Sequence, residues 1–134
     1  MGLVNDKYPS FVCSDALDDN GYVLTLDTTN NGVKKAASTD TVFGVAITAT
    51  KDMYGNAVSN KEVAVIPAGR AVVAELKVAS ANQAISFGAP LCVDSTEAGT
   101  VDYRDGTNET GTVIAYALET KSANAGGKVK ALLL

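Results

Sequence analysis

One stretch of this chain occurs twice, and the repeat limits the folds that the sequence can adopt. Residues 21–32 read GYVLTLDTTNNG, and residues 88–99 read GAPLCVDSTEAG. Glycine, leucine, aspartate, threonine and glycine stand at the same places in both copies. The copies start 67 residues apart, at Gly21 and Gly88, which is half of the 134-residue length. Duplication of one structural unit therefore accounts for most of the chain.

Each copy has the pattern of short β-strands separated by tight turns. Residues 22–26 alternate between two sides, and Asn30, Asn31 and Gly32 supply the turn that follows. Further strands are predicted from β-branched and apolar runs at 41–48, 61–66, 112–118 and 128–134. The sequence therefore predicts an all-β fold, a small β-barrel or sandwich built from two pseudo-repeated strand-turn-strand modules, with at most one or two short helices.

The repeat also predicts how the chain is divided. Residues 21–134 are expected to form a single β domain, with copies at about 21–66 and 88–134 linked by 67–87. In the link, residues 70–78 alternate as a strand with one wet face, and residues 79–87 have modest helix propensity, enough for one or two turns.

Residues 1–20 have no counterpart in the second copy and are interpreted as an N-terminal arm. Its scattered apolar residues either pack on the body of the domain or contact a partner. Tyr8 precedes a proline, which favours an extended backbone. The predicted partner-binding residues are Leu3, Val4, Tyr8, Pro9, Phe11 and Val12.

Composition excludes several classes of partner. The net charge of −4, with only 11 Lys and Arg in the chain, argues against nucleic-acid binding. A membrane partner is not expected, because no apolar run reaches the ~20 residues that span a bilayer. The N-terminus also lacks the pattern of a secretion signal, so synthesis in a cytoplasm is expected. In that compartment Cys13 and Cys92 are expected to be reduced and buried.

The recurring Asp27 and Asp94 invite comparison with the paired loops of aspartic proteases. Thr29 and Thr96 stand where such a site needs glycine, so both aspartates are instead expected to set turns. A calcium loop over residues 27–38 fails at its twelfth position, Ser38, which cannot supply a bidentate carboxylate. The chain also has no histidine, the usual general base and zinc ligand. We therefore expect no catalytic residue, no metal and no cofactor, and no enzyme activity.

The order of these features resembles the small head-decoration proteins of tailed bacteriophages. The resemblance covers about residues 21–134. It rests on Gly-x-x-Leu-x-Val-Asp, a Gly turn, Thr-Val-Phe-Gly-Val-Ala at 41–46 with its partner Thr-Val-Ile-Ala-Tyr-Ala-Leu at 112–118, and the closing Val-x-Ala strand after Gly126-Gly127. It implies a compact β-barrel-like protein that sits as a homotrimer on the major capsid protein of assembled shells and stabilises them. It also implies a location on the capsid surface of the virion, with residues 1–20 in the place of an arm that commonly reaches the shell.

A second hypothesis is a β-barrel binding module for a carbohydrate or other small ligand. Tyrosine rings stack on such ligands, and Tyr54, Tyr103 and Tyr116 are the candidates. This hypothesis requires the three rings to converge on one concave face.

Overall fold

The computed structural model describes residues 8–134, which form ten β-strands and no helix. The all-β prediction is confirmed. The strands are β1 (Ser10–Cys13), β2 (Val23–Asp27), β3 (Gly32–Lys35), β4 (Gly44–Ala46), β5 (Lys61–Pro67), β6 (Val73–Lys77), β7 (Pro90–Val93), β8 (Val101–Tyr103), β9 (Ala115–Ala117) and β10 (Lys128–Leu133).

The first five strands form a closed barrel in the order β1-β3-β2-β4-β5. Strand β1 closes it, because it pairs antiparallel with β5 on one side and parallel with β3, at Cys13 and Val33, on the other. Closure gives every strand two neighbours and removes the exposed edges that an open sheet would have. The interior is filled by Cys13, Leu17, Tyr22, Leu24, Val33, Ala46, Val63 and Val65.

The remaining strands form a second sheet with the same pairing scheme, in the order β6-β10-β9-β7-β8. In the barrel, Gly44 pairs with Leu24 and Pro67; in the second sheet, Ala115 pairs with Leu91 and Leu133. One parallel bridge, between Val78 and Val101, connects the segment after β6 to β8. The chain is therefore built from two modules of equivalent topology, β1–β5 and β6–β10.

Strand β6 is the equivalent of β1, so the repeat extends further than the sequence suggested. Both strands pair antiparallel with the last strand of their module, and both lead to a parallel bridge with its third strand. The interpretation of residues 1–20 as an arm outside the domain is therefore wrong for residues 10–20. Ser10–Cys13 is a barrel strand and Leu17 is completely buried. The interpretation of residues 67–87 as a link also misses that β6 is the first strand of the second module.

The predicted helical turns within residues 79–87 are absent. The backbone NH and carbonyl of Ile85 both bond to Lys121, at 2.8 Å each, and the Asn82 side chain accepts a hydrogen bond from the Gly126 NH at 3.0 Å. These long-range partners hold the segment as turns around an isolated bridge at Ile85, which its modest helix propensity does not overcome.

The core of the second module extends onto the outer side of the first. Val23, Ala36 and Val45 of the first module pack in the same cluster as the interior residues of the second. The backbone continues the contact, since the Val23 NH bonds to the Gly99 carbonyl at 2.8 Å and the Lys77 NH bonds to the Gly21 carbonyl at 2.9 Å. Gly21 is required there, because its φ is +96° and a Cβ would lie 2.8 Å from the Glu75 carbonyl oxygen.

Candidate interaction surfaces

The predicted partner-binding residues that the structure describes lie at the start of β1. Leu3 and Val4 fall outside residues 8–134. Pro9 is exposed, but its carbonyl accepts a hydrogen bond from the Val65 NH at 3.0 Å. Tyr8 is half-buried and faces the guanidinium of Arg70, 5.9 Å from its ring centroid. The chain therefore enters the barrel alongside the last residues of β5.

Phe11 and Val12 have opposite environments. The Phe11 ring packs edge-on against Phe43, with centroids 5.2 Å apart, and contributes to the first module's core. Val12 is the neighbouring strand residue and is exposed. Phe11 is thus a structural anchor, whereas Val12 is available for contact with another molecule.

One end of the first barrel carries a group of incompletely buried apolar side chains. In the strand register, β2 and β5 finish at the end of the barrel where β1 and β4 begin. Leu26 is the most exposed of these residues, at 50%. We call this group the open barrel end; its residues are Phe11, Leu26, Phe43 and Pro67.

A second apolar surface crosses the outer side of the second module. Pro90 pairs with Tyr116, Tyr116 with Leu132, and Leu132 with Val73, so four side chains from four strands line up on one face. Tyr116 is 40% exposed and Val73 56% exposed. We call these four residues the outer row.

Where the modules meet, residues of both modules line an open cavity of about 440 Å³. Val93, Ile114 and Leu133 line it from the second module, and Val45 and Ile66 line it from the first. Hydroxyl groups form its rim at Ser38, Thr39, Thr41 and Thr112. The cavity lies between the outer side of the first module and the end of the second sheet that is equivalent to the open barrel end.

Asp27 and Asp94 act as turn-setting residues, as predicted. Asp27 accepts hydrogen bonds from the Asn30 side chain at 2.9 Å and from the Ser14 hydroxyl at 2.7 Å, and these bonds lower its pKa to about 2. Asp94 accepts from the backbone NH groups of Thr96 and Glu97, at 3.0 and 2.8 Å. Both carboxylates cap the turn that follows their strand, which is a structural role.

Asp94 also belongs to a buried acidic cluster that the sequence did not reveal. Carboxylate oxygens of Asp94, Asp102 and Glu109 lie within 4.8 Å of one another. Burial, with the charge of Asp94 in addition, raises the pKa of both Asp102 and Glu109. Asp102 accepts from the Gln83 and Tyr103 NH groups, and Glu109 accepts from the NH and hydroxyl of Ser95. Carboxylates are suitable cation ligands, but this cluster already serves to bind backbone and hydroxyl donors of its own loops.

The three candidate tyrosines do not share a face. Tyr103 pairs with Leu91 on the inner side of the second sheet and packs against the core. Tyr116 pairs with Pro90, the neighbour of Leu91, and so points to the opposite side. Tyr54 lies at the tip of the loop between β4 and β5, in the other module. The geometry does not support a ligand site formed by all three rings.

Both cysteines are buried free thiols, as expected. Burial raises the pKa of Cys13, and burial together with the charge of Glu109 raises the pKa of Cys92 to about 11. Both groups therefore stay protonated at neutral pH, whereas a nucleophilic cysteine has to be a thiolate.

Sequence reasoning did not identify Leu26 or the outer row as exposed apolar surface. Leu26 and Val93 occupy the same place in the repeat, yet one is 50% exposed and the other 4%. Their sequence surroundings are alike, so the alternation of apolar residues cannot distinguish them. The difference in exposure between these two residues arises from the packing of the modules on each other.

Comparison of the chain with known protein families and with curated proteins found no match to either. Within residues 8–134 there is no helix of the length and apolar character needed to cross a bilayer.

Proposed function

We propose that this protein is a structural component of a tailed-phage virion that binds the outside of the assembled capsid and stabilises it as a homotrimer. The partner is the major capsid protein, and the role is not enzymatic. The protein is made in the host cytoplasm and acts on the capsid surface.

The observation that supports this proposal best is the pair of uncovered apolar surfaces on a rigid scaffold. The open barrel end and the outer row each expose apolar side chains at the described surface, including Leu26 and Tyr116. Contiguous apolar surface of this kind is typical of protein–protein contact. A closed barrel joined to a second sheet through a core that extends across both can support such contacts without rearrangement.

The segment that enters the barrel supports the location of the shell contact. Tyr8 and Pro9 lead into β1 at the open barrel end. The residues before them include Leu3 and Val4, and a short segment with apolar side chains can add to a neighbouring protein's sheet or pocket.

A sedimentation experiment tests the proposal. Purified protein is mixed with empty, expanded heads of the tailed phage that encodes it, and the bound fraction is measured after pelleting. Deletion of residues 2–7 is expected to reduce binding at least about tenfold, because part of the apolar contact is removed. The deletion stops before Pro9, whose carbonyl bonds to β5, so the barrel is retained.

Met53→Ser serves as the matched control, since Met53 is an exposed apolar residue at the tip of the loop between β4 and β5. This variant is expected to bind like the wild type. Failure of the wild-type protein to bind expanded heads, or to raise the temperature at which they break open, would contradict the proposed function.

A further inference from the structure

We propose that copies of this chain associate head to tail, with the outer row of one copy covering the open barrel end of the next. The inference rests on the self-association in the proposed function and names the surfaces that produce it. Three observations carry it.

The first observation is a contact of this kind inside the chain. Val23, Val45 and Ile66 form the outer side of the first module in register, as Pro90, Tyr116 and Leu132 do in the second. Val23 and Val45 are buried in the cluster that contains the second module's interior residues, and Ile66 packs against it. The outer side of the first module therefore packs on the second sheet at the end where Val93 lies.

The second observation is that each module leaves one half of this contact unused. At the open barrel end of the first module, Leu26 is 50% exposed, whereas its equivalent Val93 in the second sheet is 4% exposed. On the outer sides, Val45 of the first module is 3% exposed, whereas its equivalent Tyr116 in the second is 40% exposed. The two uncovered surfaces are equivalent to the two surfaces that already bind each other.

The third observation is that the outer row continues from the existing contact between the modules. A cleft of about 290 Å³ is lined by Val45 and Ile66 on one side and by Val73, Glu75 and Lys130 on the other. Val73 thus lies where the first module's outer side ends and the second module's begins. Beside the row, the opposite charges of Glu75 and Lys130 face each other in register, so this pair adds no net charge to the surface.

The contact joins two different surfaces, so it is heterologous and continues from copy to copy. Such an interface forms either a closed ring or a filament. A homotrimer closes the ring, and the six modules of three chains then follow one another in a cyclic order with similar contacts within and between chains.

Light scattering on glutamate variants tests the inference without a capsid. Leu26→Glu and Tyr116→Glu each place a charge on one of the two surfaces at a position that is already substantially exposed, so the fold is retained, as circular dichroism should show. Each is expected to raise the dissociation constant of the trimer about tenfold or more, whereas the control Met53→Glu leaves it unchanged. A trimer that resists both variants, or a wild type that remains monomeric at high concentration, would overturn the inference.

Disulfide cross-linking distinguishes head-to-tail from symmetric contact. Leu26→Cys with an affinity tag is mixed with untagged Tyr116→Cys under mild oxidation. We expect a cross-linked product that contains one copy of each, and none from either variant alone. Cross-linking of one variant to itself would overturn the head-to-tail arrangement.

The two proposals fail separately. Loss of capsid binding by a protein that remains trimeric contradicts the proposed function alone. Binding of expanded heads by a wild-type monomer contradicts the head-to-tail contact and leaves capsid binding in place.

Discussion

At the scale of single residues, the repeat places aspartates at equivalent positions in different electrostatic surroundings. Asp27 interacts with the Asn30 amide and the Ser14 hydroxyl, which stabilise its charge. Asp94 lies beside Asp102 and Glu109, where burial and like charge favour the protonated form of its neighbours. The two sites should therefore make stability depend on pH in opposite directions.

Asp27→Asn should weaken the response of stability to acid. The pKa of Asp27 is about 2 in the folded protein and lies below its unfolded value, so its contribution is present above about pH 4 and is lost as the pH falls towards 2. Urea midpoints measured at pH 7, 4 and 2.5 should show a smaller loss for Asp27→Asn than for the wild type, together with a lower midpoint at pH 7. Parallel curves for the two proteins would contradict this role.

Asp102→Asn should have the opposite effect. The folded pKa of Asp102 is raised, mainly by burial, so the wild type loses stability as the pH rises from the unfolded value of about 4 through the folded value. The Asn side-chain oxygen can still accept from the Gln83 and Tyr103 NH groups. The variant should equal the wild type near pH 3 and exceed it in urea midpoint at pH 7. A lower midpoint at pH 7 would show that the carboxylate is needed there.

At the scale of elements, β1 decides whether the first module is a barrel or an open sheet. It closes the barrel through β5 and β3, and the closest approach to β3 is at Gly32. A Cβ at Gly32 would lie 2.0 Å from the Val12 carbonyl oxygen, which is a backbone atom and cannot rotate away. Glycine at this position therefore permits closure.

Gly32→Ala should displace β1 and lower the free energy of unfolding by about 1–3 kcal/mol or more, the range for overpacked sites. The measurement is urea unfolding, with hydrogen exchange at the Val65 NH, which bonds to Pro9, as a local probe of β1. Gly111→Ala is the matched control, because the nearest atom to its Cβ would be the Cys92 Cβ at 3.4 Å. An equal effect of both substitutions would contradict the importance of this approach.

At the scale of the whole molecule, the core that extends across both modules joins them into one cooperative unit. Val23, Ala36 and Val45 are buried in the second module's cluster, so residues of the first module complete the core of the second. The ion pair between Asp19 and Lys128, at 2.9 Å, adds a partly exposed contact that contributes little by comparison.

Leu24→Ala and Leu91→Ala test this cooperativity. The two leucines are equivalent and fully buried, one in each module, so each substitution should cost about 2–5 kcal/mol. Each should lower hydrogen-exchange protection of both Val65 and Ala131, because the modules unfold together. Wild-type protection in the unsubstituted module would show that the modules unfold independently.

Much of the architecture could be predicted from the sequence, because the signals are local. Alternation of apolar residues, the Asn-Asn-Gly turn and the recurring Asp act within a few residues, so the predictions of strands, the two-module fold and the turn roles of Asp27 and Asp94 hold. The exposure of single side chains was predicted less well. Phe11 is an anchor in the core, and the exposure of Leu26 and Tyr116 carried no local signal.

Tertiary structure alone decided the features that depend on distant partners. The predicted arm includes a barrel strand, because Ser10 pairs with Ala64. The residues around Ile85 are not helical, because the backbone of Ile85 bonds to Lys121. Asp94, Asp102 and Glu109 meet because the loop after β7 and the loop after β8 both approach Asp102 in β8. Leu26 and Val93 share a sequence pattern but differ in burial. The first module packs on the end of the second sheet where Val93 lies, whereas Leu26 remains exposed. The sequence determined the repeated unit, and the packing of one unit on the other determined which of its surfaces remain free.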